Sequence, residues 1–153
     1  GEGDITNNVV DVAMAASDGA MEIDMVMDIE AFRQKDYEKV SAGIINIVEA
    51  AEGRIVKVII ESCLWTDEEI KIACEVVQGS SAQFVKSSTG FSTHGATVDH
   101  IKIMRESVGD LFGVKASGGI KSFDDALMMI QAGANRLGTS SGAEIMKTEK
   151  LKS

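Results

Sequence analysis

Two short stretches carry the residue types that covalent chemistry needs. Phe84-Val85-Lys86-Ser87-Ser88-Thr89-Gly90 and Gly113-Val114-Lys115-Ala116-Ser117-Gly118-Gly119 each bring one lysine to the end of an apolar, β-forming run, with small hydroxyl and glycine residues directly after it. A strand buried on both faces tolerates an ammonium only at its end, where loops build pockets. Taken alone, such a lysine is often a solvated terminus or half of an ion pair. Here the pattern repeats about 29 residues on, the length of one βα unit, so two lysines on neighbouring strands would share one pocket.

A free lysine, with a pKa of about 10.4, is almost wholly protonated at neutral pH and cannot attack a carbonyl. A second ammonium in a partly desolvated pocket disfavours the charged form and can bring that value to about 7–8. Lys86 beside Lys115 supplies that arrangement, and the residues by themselves leave open which of the two attacks. A third candidate is Asp24, which with Glu22 interrupts the apolar run Met21 to Met27; acids in a buried strand are costly unless paired or useful. An ion pair within the core is the plain alternative for Asp24. Gly118-Gly119 and Gly138-Thr139-Ser140-Ser141 read as a phosphate cradle, because bare backbone N–H groups, helix starts and hydroxyls bind anions.

The elements that must position these residues follow from periodicity. A helix is predicted over Ile5 to Ser17, with Val9, Val12, Ala13 and Ala16 on one face and Asp18-Gly19 as its stop. Asp36 caps a helix running to Glu49 with Val40, Ile44, Ile47 and Val48 inward, and Ile55 to Ile60 is a β-branched strand with Lys57 at its middle, able to pair with Glu61 or Asp24. Thr66 and Glu69 form a capping box for a helix that places Cys74 in packing. After the strand ending at Lys86, Thr97 caps a helix with Ile101, Met104 and Val108 inward, and Leu111 to Lys115 is the next strand. Ser122 caps again, with Asp125 at the third position and Ala126, Leu127, Ile130 and Ala134 inward; Asn135 to Gly138 is a last strand, and Ser140 to Lys147 opens a closing helix.

Helix and strand therefore alternate, which means βαβ units and a parallel sheet with functional residues beyond the strands' carboxyl ends. With strand centres near 24, 58, 85, 114 and 137 the mean unit is about 28 residues, so eight units need roughly 226, near the size of a (β/α)8 barrel. Only five strands fit. The fold class read from the sequence is α/β, a partial (β/α)8 TIM barrel of about five parallel strands, as one domain over residues 1–153. Five strands leave two open edges and an inner face that eight would fill, so self-association, or pairing with missing barrel strands, is expected to cover them.

Composition narrows the partners. The chain is 44% hydrophobic and 25% charged with a net charge of −9, and no Lys/Arg cluster offsets that charge, so nucleic acid and anionic membrane are poor partners. Two cysteines, Cys63 and Cys74, and two histidines make neither a disulfide framework nor a zinc constellation; His94 reads as loop and His100 as solvated helix. Low cysteine content, the lack of an 18-residue apolar run and the polar start Gly1 to Asn8 lead to an expected cytoplasmic setting. Proline is absent, where average usage would give about eight, so turns lean on 15 glycines.

The segments Phe84 to Thr97 (FVKSSTGFSTHGAT), Gly113 to Ile120 (GVKASGGI), Leu137 to Gly142 (LGTSSG) and Glu22 to Val26 (EIDMV) resemble, in the same order, the signature segments of the deoxyribose-phosphate aldolases. The resemblance runs from about Ile5 to Met146 and matches the last five strands of that family's full barrel. It implies that Lys86 forms a Schiff base, that Lys115 tunes it, that Asp24 joins a proton relay and that Thr89 contributes a hydroxyl in the same pocket. The implied reaction is reversible cleavage of 2-deoxyribose 5-phosphate, a phosphorylated sugar, to glyceraldehyde 3-phosphate and a small aldehyde, acetaldehyde. It implies no metal and no organic cofactor, since the lysine imine is itself the electron sink. Two other readings stand beside it: a phosphosugar-binding module without turnover, and a folding fragment without function of its own.

Overall fold

Five short strands, β1 (Glu22–Val26), β2 (Ile55–Ile59), β3 (Phe84–Lys86), β4 (Gly113–Ser117) and β5 (Arg136–Gly138), pair in parallel and in chain order in this computed structural model, which describes residues 5–90 and 92–150. Residues 1–4 of the polar start and Phe91 of the longest signature segment lie outside the described residues. The strands curl into a half-barrel with helices on its outer side. Those helices are α1 (Ile5–Ser17), α2 (Ile29–Arg33), α3 (Tyr37–Ala50), α4 (Asp67–Gly79), α5 (Val98–Val108), α6 (Phe123–Gln131) and α7 (Gly142–Lys150).

Alternation along the strands divides the side chains between two environments. Val56, Val58, Val85, Val114 and Ala116 have no exposed surface and pack into one core with Val40, Ile44 and Ile47 of α3, Ile70 and Val77 of α4, and Ile101 and Met104 of α5. The opposite face carries Glu22, Asp24, Lys57, Phe84, Lys86, Lys115 and Arg136, which meet one another. This corrects the expectation of strands apolar on both faces: the concave side of the half-barrel is charged. Large exposed apolar side chains instead sit on helix exteriors, among them Val10, Met14, Leu127, Ile130 and Met146.

Local signals account for the helix starts. Asp36, Thr66, Thr97 and Ser122 each accept a backbone N–H in the first turn, and Thr66 with Glu69 and Ser122 with Asp125 form reciprocal capping boxes. α2 and the 3₁₀ turn Ser62–Leu64 went unread in the sequence, although Asp28 caps α2 by accepting from the Ala31 N–H at 2.9 Å. β4 spans Gly113–Ser117 rather than Leu111 to Lys115: the Leu111 side chain is fully exposed in the turn before it, and pairing with β5 carries the strand on to Ser117, so Lys115 sits at its middle and not at its end. On α6 the inward residues are Ala126 and Met129, while Leu127 and Ile130 face outward, and α7 starts at Gly142, two residues later than expected. His100 is half-buried with its Nδ1 3.2 Å from Ser62 Oγ, rather than solvated; burial holds its pKa below the ordinary value. Cys74 is buried packing as read, its thiol pushed up to about 12 by desolvation.

Two contacts aim the strand ends. Trp65 donates from Nε1 to the Ile60 carbonyl at 2.7 Å and meets Phe32 edge-on at 4.7 Å, which ties the exit of β2 to α2. On the concave face the Phe84 ring occupies the space beside Gly113, where an added Cβ would lie 2.3 Å from Phe84 Cδ1. Gly113→Ala should therefore cost about 1–3 kcal/mol in denaturant unfolding through overpacking, and less in a Phe84→Ala background. Equal losses in the two backgrounds would show that the ring does not set the constraint.

Candidate active site

Register determines which charges meet. Lys86 pairs with Lys115 across β3 and β4, and Asp24 pairs with Lys57 across β1 and β2. Neighbouring strands lie about 4.8 Å apart, so each pair projects side by side on the concave face. Curvature then brings β1 across the hollow. Asp24 Oδ2 accepts from Lys86 Nζ at 2.8 Å and from Lys115 Nζ at 2.9 Å, while its Oδ1 accepts from Lys57 Nζ at 2.8 Å. Lys57 also pairs with Glu22 Oε2 at 2.7 Å, and Glu22 reaches Arg136 on β5, whose guanidinium lies 4.7 Å from the centre of the Phe84 ring.

The three lysines differ in access. Lys57 is 3% exposed and is held by two carboxylates, whereas Lys86 and Lys115 keep 12% and 17% of their side-chain surface open. An ammonium as buried as that of Lys57 survives only when paired, which assigns it to structure. Burial by itself would raise the Asp24 pKa, but the hydrogen bonds from Lys57, Lys86 and Lys115 outweigh it and hold the carboxyl well below the aspartate range. Glu22 is likewise held low, first by Arg136 and then by Lys57. On this face Lys57, Lys86, Lys115 and Arg136 oppose Glu22 and Asp24, a local excess of positive charge in a chain of net charge −9. An anion entering the hollow meets that excess.

Beyond the lysines the loops are stitched together. The Ser117 N–H donates to Ser87 Oγ at 3.1 Å, Ser117 Oγ donates to the Ser88 carbonyl, and Ala96 N–H reaches the Ser117 carbonyl at 3.0 Å. Gly95 and Gly118 approach so closely that a Cβ on Gly95 would lie 2.2 Å from Gly118 backbone atoms. Thr89 donates its hydroxyl to Glu61 at 2.8 Å, so it stands at the exit of β2.

The residues read as a phosphate cradle lie at the last residue of β5 and on the loops after β4 and β5, at the carboxyl ends of these strands. Gly118 and Gly119 both adopt left-handed backbone, φ 83° and 77°, and nothing lies within 4 Å of the Cβ position of Gly119. Ser141 closes the start of α7, its carbonyl accepting from Glu144 and Ile145 and its N–H donating to Thr139 Oγ1 at 2.9 Å; Ser140 is exposed. At Gly138 a Cβ would meet Ser117 Cβ at 2.8 Å and Lys115 Cε at 3.4 Å, so its bareness makes room for the lysine. Of the two partners expected for Lys57, Asp24 is the one it meets, together with Glu22, while Glu61 turns to Thr89. Arg136 and Glu61 were missed. The Glu22-x-Asp24 alternation facing Lys57 was the available signal for the first ion-pair layer, and no local signal marked Glu61.

The family model described as DeoC/LacD family aldolase matches residues 1–148. A deoxyribose-phosphate aldolase of Streptococcus sanguinis is 54% identical over 136 residues, 89% of this chain and 62% of that protein. The solved structure of an aldolase named QR15 superposes with a TM-score of 0.94 at 35% identity, over 100% of this chain and 71% of that one. A tetrameric deoxyribose phosphate aldolase from Aeropyrum pernix gives 0.90 at 31% identity, over 100% of this chain and 65% of that one. The chain thus spans less than two thirds of the length of its curated relative. Among the described residues no group of three or more His, Cys, Asp or Glu is placed to hold a metal, and no helix is long and apolar enough to cross a membrane.

Because the folded-state pKa of Asp24 is depressed, its contribution to stability is complete above the ordinary aspartate value of 3.8 and is lost as the pH falls below that value toward the folded one. The unfolding free-energy difference between wild type and Asp24→Asn should therefore be constant near neutrality and shrink in acid. A difference that does not change with pH would mean that the carboxylate is not held by the lysines.

Proposed function

The chain belongs to the DeoC/LacD aldolase family, and from that premise we propose that it carries the lysine machinery of a Schiff-base aldolase acting on 2-deoxyribose 5-phosphate. The observation that supports this most is the convergence of Lys86 Nζ and Lys115 Nζ on one carboxylate oxygen, Asp24 Oδ2, at the mouth of a positively charged hollow. One lysine needs to lose a proton before it can attack a carbonyl, and a carboxylate within hydrogen-bond reach, shared with a second amine, offers a route for it.

In the proposed sequence, the neutral Lys86 amine adds to the C1 aldehyde of the open-chain sugar, and loss of water leaves an iminium. Removal of the C3 hydroxyl proton breaks the C2–C3 bond; the electron pair moves into the iminium as an enamine, and glyceraldehyde 3-phosphate departs. Protonation of the enamine at C2 and hydrolysis release acetaldehyde and the free amine. Asp24, in contact with both amines, and Lys115, which shares Asp24 Oδ2 with Lys86, relay these protons through water. Thr89, three residues beyond Lys86, is assigned a contact to a substrate hydroxyl, which its own hydroxyl oxygen can accept while it donates to Glu61. The open side of Gly119, with Gly118, Gly138, Ser140 and Ser141 on the same rim, suits the phosphate, whose charge the cationic hollow favours.

Assembly follows the same reasoning. The A. pernix relative is described as tetrameric, and this chain presents apolar side chains on its helix exteriors and two open strand edges. Self-association, or pairing with further barrel strands, would cover them.

Borohydride reduction in the presence of acetaldehyde tests the proposal, because a competent amine is trapped as a stable mass adduct. Wild type should be trapped at Lys86, Lys86→Ala should give no adduct, and Lys115→Met should still be trapped at Lys86 but about 100-fold more slowly. An adduct that maps to Lys115, or one that persists in Lys86→Ala, would reverse the roles. Binding of the sugar phosphate with no trapping at any lysine would favour a binding module.

A further inference from the structure

Glu61 is a buried carboxylate that neither the lysine cluster nor the phosphate rim uses. It follows β2 at the carboxyl end of the sheet, is 6% exposed, and adopts φ 52° and ψ 58°. A non-glycine residue in that left-handed region costs about 1–2 kcal/mol, and burying a carboxylate adds a desolvation cost. Glycine would avoid both. Something the side chain does must offset them.

What it does is specific. One carboxylate oxygen accepts the Thr89 N–H at 3.2 Å and the other accepts the Thr89 hydroxyl at 2.8 Å. The flanking backbone is engaged with the same segment: Ile60 N–H donates to the Lys86 carbonyl at 3.0 Å and Ser62 N–H to the Ser87 carbonyl at 2.8 Å. The left-handed turn at Glu61 directs its side chain past these two bonds to the residue three beyond Lys86. We propose that Glu61 is a positioning residue: by gripping Thr89 at both of its polar groups, it fixes the turn after β3 and thereby the place of Lys86 Nζ against Asp24 Oδ2. The proposal rests on the reading that Lys86 is the imine-forming amine.

Glu61→Gly and Glu61→Gln in this chain test it, with hydrogen exchange of the Thr89 amide and the rate of borohydride trapping at Lys86 as readouts. Glycine accepts the left-handed backbone, so Glu61→Gly should keep the melting temperature of the wild type while its Thr89 amide exchanges about tenfold faster or more. Its adduct at Lys86 should form about 10–100-fold more slowly. Glu61→Gln offers an amide oxygen to the Thr89 N–H and an NH₂ to the hydroxyl oxygen, and should recover most of both losses. Full trapping or unchanged exchange in Glu61→Gly overturns the proposal. So does a Glu61→Gln variant as impaired as Glu61→Gly, because the effect would then belong to charge and not to grip. If wild type gives no adduct at Lys86, the imine assignment fails and the exchange readout alone decides whether Glu61 holds the turn.

Discussion

One carboxylate oxygen, Asp24 Oδ2, joins β1 to both β3 and β4 through Lys86 and Lys115, and the concave face is arranged around that shared contact. In a flat sheet an acid on the first strand could not reach a lysine on the fourth, since each strand step adds about 4.8 Å. The contact therefore requires the curl of the sheet, and the curl in turn requires bulky residues outside and compact pairing inside. Val56, Val58, Val85 and Val114 supply the first against α3, α4 and α5. Bare positions supply part of the second: Gly113 admits the Phe84 ring and Gly138 admits Lys115.

Burial and pairing then separate the lysines. Lys57 is buried and saturated by Glu22 and Asp24, and it occupies Oδ1, leaving the other oxygen to the two more open amines. Below this layer, Glu22 with Arg136 and Phe84 forms a floor that links the first strand to the last. The hollow keeps a positive excess although the chain as a whole is acidic, which is the sign a phosphorylated sugar requires. Loops that carry the remaining candidate residues are fixed by hydroxyl-to-backbone hydrogen bonds and by close backbone approach. Ser87, Ser88 and Ser117 are buried hydroxyl residues hydrogen-bonded across two loops, and Gly95 against Gly118 closes the gap.

Much of this was legible in the chain. The alternation of helix and strand, the caps at Asp36, Thr66, Thr97 and Ser122, and the strand that ends on Lys86 all rest on local patterns that tertiary structure had no reason to override, whereas β4 runs two residues past Lys115 to Ser117. Less visible were features that depend on which strands face one another across the hollow. Ile55 to Ile60 reads as an apolar run, yet register beside β1 sets Lys57 against Glu22 and Asp24 on an inner charged face, and the curl then brings Lys86 and Lys115 to the same carboxylate. Leu127 and Ile130 look inward by spacing, yet α6 turns Met129 to the core, a rotation that periodicity over nine residues does not determine. Glu61 was illegible because its role depends on a backbone angle, and no residue pattern announces left-handed conformation at a glutamate.

A crystal structure of the chain reduced with borohydride in the presence of 2-deoxyribose 5-phosphate would show whether Lys86 is the amine that bonds the sugar. Continuous density is expected from Lys86 Nζ to C1 of the sugar, with Lys115 and Asp24 flanking the bond and the phosphate on the rim at Gly118, Gly119 and Ser141. A covalent bond to Lys115 or Lys57, or a phosphate seated away from that rim, would contradict it.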